Sequence, residues 1–259
     1  PTIYDEPFSD SSQIPTYLVS ELAKQQVKVS LSGDGGDELF CGYNRYIMSN
    51  KFTNIFRIMP FSLRKFLSDK LELISTENWN RLSNFIPFLD QYPDFGDKMH
   101  KVVNVLKAKD INDLYYMLCS HWQNPTELVI NSKEPGTLLT EFKPELKDFN
   151  NQQKMMVLDF ITYLSDDILV KIDRAAMATS LETRAPFLDH KLIEYTWKIP
   201  HSLKFKNGKS KWILRQILKK YVPENLTERP KMGFGVPIDS WLRGPLRDWG
   251  ENLLNEKRL

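Results

Sequence analysis

Val27-Lys28-Val29-Ser30-Leu31-Ser32-Gly33-Asp34-Gly35-Gly36-Asp37-Glu38-Leu39-Phe40 is the stretch from which the fold is read. Val27, Val29 and Leu31 alternate with Lys28 and Ser30, as the residues of a β-strand do. The glycines that follow permit a tight turn, and the Asp and Glu residues beyond it suit the first turn of a helix, where acids face the positive end of the dipole. Just upstream, Ile14, Tyr17, Leu18 and Leu22 fall near helical spacing between Ser12 and Gln26. Helix, strand, turn and helix make one α/β unit.

Beyond Tyr43 the pattern is helical, and no second strand is evident. Helices are expected over Ile47 to Ile74, Lys98 to Trp122, Gln152 to Ser180, His190 to Trp197, Ser210 to Tyr221 and Ile238 to Asn255. Breaks are expected at Pro60, Pro87, Pro93, Pro125, Pro186, Pro200, Pro223 and Pro230. A lone strand leaves its backbone groups without ladder partners, so the rest of a parallel sheet is expected upstream of Pro1. The polar stretch Asn131 to Asn151, with Pro135-Gly136 and Pro144, is the expected loose connection.

Composition narrows the class. The 259 residues carry 35 Lys and Arg against 33 Asp and Glu, a net charge of +2, and 41% are hydrophobic, which excludes a disordered or collagen-like chain. A core of this size needs neither disulfide nor metal. Cys41 and Cys119 show no paired spacing and no accompanying histidines, so a reducing cytoplasm is the expected setting. No apolar run approaches the roughly 20 residues that span a bilayer, so no membrane partner is expected. The chain opens Pro1-Thr2-Ile3-Tyr4-Asp5 without a methionine, which suggests a piece of a longer protein.

A strand that runs through Ser32-Gly33-Asp34-Gly35-Gly36-Asp37 into a helix aims backbone N–H groups at an anion. Asp34, Asp37 and Glu38 would repel bare phosphate, but a hard cation such as Mg²⁺ bridges carboxylates and phosphate oxygens. Two readings are open: metal-bridged phosphate, or a capped turn whose acids only complement the dipole. Gly208-Lys209-Ser210 is not a Walker loop, because Leu203 stands where that pattern needs glycine. In the helix expected from Ser210, Lys211 and Arg215 share a face one turn apart, and a lysine in a first turn opposes the dipole. An anionic partner would account for it, as would a solvated basic face. The neighbouring lysines come with no nucleic-acid-binding pattern, so no nucleic acid is expected.

Asp159, Asp166 and Asp173 recur every seven residues, so a continuous helix would set them near one face. Asp167 and Lys171 are spaced as an intrahelical ion pair, and Glu182 and Arg184 are expected in buried ion pairing. The tryptophans read as core or interface residues. His100, His121, His190 and His201 are isolated and read as packing or surface residues.

Five blocks occur in one order: Asp5-Glu6-Pro7-Phe8-Ser9-Asp10-Ser11-Ser12; Ser32 through Phe40; Asp173-Arg174-Ala175-Ala176-Met177-Ala178 through Leu181 to Asp189; Lys211-Trp212-Ile213-Leu214-Arg215; and Arg229-Pro230-Lys231-Met232-Gly233-Phe234-Gly235. They resemble the synthetase domain of glutamine-hydrolysing asparagine synthetases of the bacterial type. The resemblance implies an α/β, adenine-nucleotide α-hydrolase-like fold, here mostly its helical C-terminal part with few parallel strands. Residues 1–259 would be part of the synthetase domain, 1–45 ending the nucleotide-binding α/β portion and 46–259 forming the helical portion.

The activity implied is ATP-dependent conversion of aspartate to asparagine through β-aspartyl-AMP, with ammonia from glutamine. By the same resemblance Ser32 and Gly33, with Gly35 and Gly36, contact ATP, and Asp37 helps hold Mg²⁺ and pyrophosphate. Asp34 assists intermediate formation and takes a proton from ammonia, and Lys211 neutralises charge on the reacting phosphates. The family's Ser-Gly-Gly-x-Asp-Ser loop and its amino-terminal cysteine nucleophile do not occur here. They are expected upstream, with an N-terminal glutaminase domain as partner, and the 259 residues alone are expected to be inactive. The resemblance allows a homodimer. Two alternatives stand beside it: amidation of another carboxylate, such as a polysaccharide sugar or a β-lactam precursor, and a non-catalytic interaction module.

Overall fold

The computed structural model describes residues 2–85, 95–120, 122, 124–141, 146–227 and 235–256. The expected breaks at Pro87, Pro93, Pro144 and Pro230, His121, and all of the Arg229-to-Gly235 block but Gly235 lie outside the described residues. In chain order the first half carries α1 (Gln13–Lys24), β1 (Val29–Leu31), α2 (Gly36–Leu39), α3 (Asn44–Ile58), α4 (Phe61–Leu71), α5 (Thr76–Asn84), α6 (Phe95–Val105) and α7 (Ile111–Cys119). The second half carries α8 (Asn151–Ile161), α9 (Leu169–Met177), β2 (Glu182–Arg184), α10 (His190–Lys198), α11 (His201–Lys204), α12 (Trp212–Leu218), α13 (Glu224–Thr227), α14 (Ile238–Arg243) and α15 (Arg247–Leu253). The described chain forms two compact units, one of residues 1–34, 165–192 and 215–259, the other of 35–164 and 193–214.

The first unit holds the sheet. β1 pairs with β2 in parallel, Val29 opposite Glu182 and Leu31 opposite Arg184. The ladder is extended by Glu182 N–H to Lys28 C=O at 3.1 Å and Ser32 N–H to Arg184 C=O at 2.8 Å. This corrects the expectation of a single strand. Glu182-Thr183-Arg184 is too short and too polar to show a strand period; Ser180, at φ 59°, turns the chain just before it, and pairing with β1 holds it extended. Glu182 and Arg184 do pair, at 2.8 Å, but with side chains 54% and 64% exposed rather than buried. α1 packs on α9, and α9 on β2. The Lys24 ammonium also donates to the Ser180 carbonyl.

The second unit is helical, and α8 is its organising rod, packed on α2, α3 and α7. An Asn150–Gln153 capping box starts α8: the Asn150 side chain accepts from Gln153 N–H at 3.0 Å, and the Gln153 side chain accepts from Asn150 N–H at 3.1 Å. The core gathers Tyr46, Phe52, Leu114, Tyr115, Met155, Met156 and Leu158. Pro60 separates α3 from α4, as its missing N–H requires. The expected helix from Ile238 to Asn255 is likewise two short helices, divided at Gly244.

Two expectations about the stretch from Gln152 to Ser180 need correction. It is not one helix: α8 ends at Thr162, at φ −128°, and Leu164–Ile168 is a π-helical turn before α9. That turn breaks the seven-residue phase, and Asp159 belongs to the second unit whereas Asp166 and Asp173 belong to the first. For Lys171 the structure shows a partner far from its own helix. Its ammonium reaches Asp10 at 2.7 Å, an ion pair between segments 161 residues apart that sequence spacing cannot show.

Candidate functional site

The acidic glycine turn divides between the two units. Ser32, Gly33 and Asp34 belong to the first, where they follow β1 at its carboxyl end. Ser32 and Asp34 line a cavity of about 360 Å³ together with Thr16, Ser20, Lys171 and Thr183. Ser32 also borders a second cavity, of about 520 Å³, with Asp173, Arg184 and Asp189. Asp34 Oδ2 is buried and has no hydrogen-bond partner among the described residues. A carboxylate oxygen kept from water without a donor is costly, so a ligand atom or an ion is its natural complement.

Gly35, Gly36, Asp37 and Lys211 belong to the second unit. Gly35 stands at φ 83°, the left-handed conformation that only glycine adopts without cost, and caps the single turn of α2. Lys211 comes from the far end of the sequence and places its ammonium 3.0 Å from Asp37 Oδ2. Here a further expectation is corrected: Lys211 is not in the first turn of a helix. α12 begins at Trp212, and Lys211 precedes it at φ 53°, a left-handed conformation costing roughly 1–2 kcal/mol for a residue with a Cβ. Its backbone N–H, donated to the Phe40 carbonyl at 3.0 Å, holds it there. Strain of this kind survives where the surroundings over-determine a conformation.

Gly42 completes the arrangement. A Cβ at that position would overlap Asp37 Oδ1 and Lys211 Cε, so any other residue would push the two side chains from the positions in which they meet. Its N–H also donates to the Asp37 carbonyl at 2.8 Å. Sequence reading missed Gly42, although a fourth glycine just after the acidic turn is its signal. For Glu38 it left two readings open, metal-bridged phosphate or a dipole complement. Glu38 is 1% exposed, its carboxylate accepts from Tyr43 Oη at 2.8 Å, and burial pushes its carboxyl above the ordinary range. Gly208-Lys209-Ser210 belongs to a tight turn, with Asn207 and Gly208 at φ 50° and 76° and Lys206 bridged to Lys209, which agrees with rejecting a phosphate loop there.

Among the described residues no three His, Cys, Asp or Glu side chains gather into a complete metal site. A hard ion that keeps phosphate oxygens and water needs only one or two carboxylates. The partly exposed carboxylate of Asp37 therefore fits Mg²⁺ that arrives with a nucleotide, rather than a resident metal. No helix of the described residues is long and apolar enough to cross a membrane, and neither Cys41 nor Cys119 forms a disulfide.

A short parallel ladder ending in an acidic glycine turn, with an otherwise helical chain, defines an α/β protein of the adenine-nucleotide α-hydrolase-like class. The asparagine synthase family model matches residues 1–259, and the chain belongs to that family. It is 35% identical over 259 residues to the glutamine-hydrolyzing asparagine synthetase 1 of Bacillus subtilis, covering 98% of this chain and 38% of that protein. It is 32% identical over 251 residues to a putative glutamine-hydrolyzing asparagine synthetase of Mycobacterium tuberculosis, covering 95% and 35%. A third relative, amidase chry2 of Gibberella zeae, is 25% identical over 251 residues, covering 88% and 35%. The chain thus spans well under half the length of these relatives. No solved structure matches it at a significant level.

Proposed function

We propose that this chain carries the amide-forming chemistry of a glutamine-dependent asparagine synthetase, as part of a longer protein. ATP adenylates the β-carboxylate of aspartate, pyrophosphate leaves, and ammonia drawn from glutamine displaces AMP. The observation that carries this reading is the meeting of Lys211 with Asp37, 174 residues apart in sequence, in the space beside Gly42 that a Cβ would enter. An interaction module whose turn is only a helix cap has no need of a strained lysine aimed at that turn.

Each residue has a separate task. Adenylation concentrates negative charge on the departing pyrophosphate, and the Lys211 ammonium, already fixed by Asp37, meets that charge without reorganising. The ion pair is partly exposed, with side chains 29% and 22% accessible, so it is weak enough for the ammonium to be shared with phosphate. Ser32 and Gly33, with Gly35 and Gly36, bring backbone close to the nucleotide. Asp34 takes the proton that ammonia must lose as its nitrogen acquires positive charge. Mg²⁺ held through Asp37 would neutralise phosphate oxygens when bound.

The test is pyrophosphate and amide formation by the purified full-length protein, given MgATP, ammonia and either aspartate or other carboxylates. Aspartate should be preferred. Lys211→Met should lower the rate by roughly 10²- to 10³-fold, the usual loss on removing one preorganised charge partner. Asp34→Asn should impair amide formation far more than the urea midpoint. An Asp34→Asn protein of unchanged activity removes Asp34 from the mechanism, and preference for another acid replaces aspartate as acceptor.

A further inference from the structure

The one-turn helix α2, which presents Asp37, is too short to hold itself, because four residues scarcely repay the cost of nucleating a helix. Its orientation must come from what it touches. Glu38, the next residue, points inward and is buried, and its carboxylate accepts from Tyr43 Oη at 2.8 Å. The Tyr43 ring lies 4.4 Å from the Arg45 guanidinium, and the Tyr163 ring lies 4.5 Å from the same group. Arg45 donates through Nε and Nη2 to the two oxygens of Asp159, at 2.9 and 2.7 Å. Asp159, fully buried on α8, also accepts from Tyr115 Oη at 2.7 Å and from Tyr46 Oη. A continuous chain of polar contacts therefore runs from the residue beside Asp37 to the central helix of the second unit.

We propose that Glu38, Tyr43, Arg45 and Asp159 are positioning residues, which aim Asp37 at Lys211. Apolar groups of the same volume would fill this space at no loss of stability, since buried ionic groups repay little of their desolvation. What they provide is direction. A hydrogen bond from Tyr43 fixes the rotation of α2 about its axis, and Asp37 turns with Glu38. The bidentate Arg45–Asp159 contact in turn fixes the Tyr43 ring. The inference rests on the synthetase reading for its consequence in catalysis, and on geometry alone for its effect on Lys211.

Tyr43→Phe removes one hydroxyl and keeps the ring on Arg45. In the full-length protein, acylation of Lys211 by an amine-directed reagent, followed by mass spectrometry, should rise by about fivefold as Asp37 ceases to hold the ammonium, with Lys219 as internal control. Pyrophosphate release should show kcat down by about tenfold with KM for the acceptor acid unchanged, the pattern of an interaction made in the transition state. Should that variant fold poorly, Glu38→Gln and Glu38→Leu carry the same test. The glutamine retains an acceptor for Tyr43 and should behave as the parent, whereas the leucine should release Lys211. Unchanged Lys211 labelling in folded Tyr43→Phe, or equal labelling in the two Glu38 variants, overturns the inference. Increased labelling in a protein whose parent releases no pyrophosphate from any acid supports the positioning chain and rejects the synthetase reading.

Discussion

At the scale of single residues, Lys204 shows how burial sets a charge. Only 2% exposed, it lies with its ammonium 4.7 Å from the Trp197 ring, and desolvation brings its pKa down to about 8, opposed by Cys41. A base whose folded pKa lies below its unfolded value costs stability wherever both states are protonated. That cost is complete below about pH 8 and is relieved as pH rises toward the unfolded value of 10.5. Lys204→Met should therefore be the more stable protein at pH 7, by on the order of 1–3 kcal/mol, and the difference should shrink between pH 8 and 10.5. Urea midpoints of both proteins across that range check it; a pH-independent difference contradicts it. The Cys41 thiol, pushed up to about 12 by the same burial, is not a reactive nucleophile.

At the scale of elements, α8 carries the most, because it brings Asp159 to Arg45 and packs on α2. Its start depends on the reciprocal Asn150–Gln153 bonds. Asn150→Ala should cost about 1 kcal/mol, seen as a lower urea midpoint, while Asn150→Asp should cost little, since aspartate caps as well. Elements also mark the limits of reading from sequence. Helices such as α10 announced themselves through apolar spacing and flanking proline. β2 did not, because three residues with two exposed charges carry no period, and only the opposite strand makes them extended. The π-helical turn at Leu164–Ile168 was likewise hidden, since inserting one residue per turn leaves composition unaltered.

At the scale of the whole molecule, the sequence lacks the Ser-Gly-Gly-x-Asp-Ser loop of its family and spans 38% of its Bacillus subtilis relative. The residues proposed to face the nucleotide come from the acidic turn and from Lys211. Titration of the 259-residue chain with MgATP should accordingly show binding no tighter than micromolar, whereas the full-length protein should bind more tightly. Sub-micromolar heats from the 259 residues would mean that the family loop is dispensable.

The acidic turn after β1, the family blocks and most helices were legible in the residues, because turn chemistry and apolar spacing are local properties. The chain also named its own candidates, Asp34, Asp37 and Lys211. Only the tertiary structure decided that Lys211 leaves its helix for a left-handed conformation and lies against Asp37, that Gly42 makes room for both, and that Lys171 meets Asp10. Those outcomes depend on which distant segments pack together. Charge partners and steric clearance are properties of space, and spacing along one chain cannot express them.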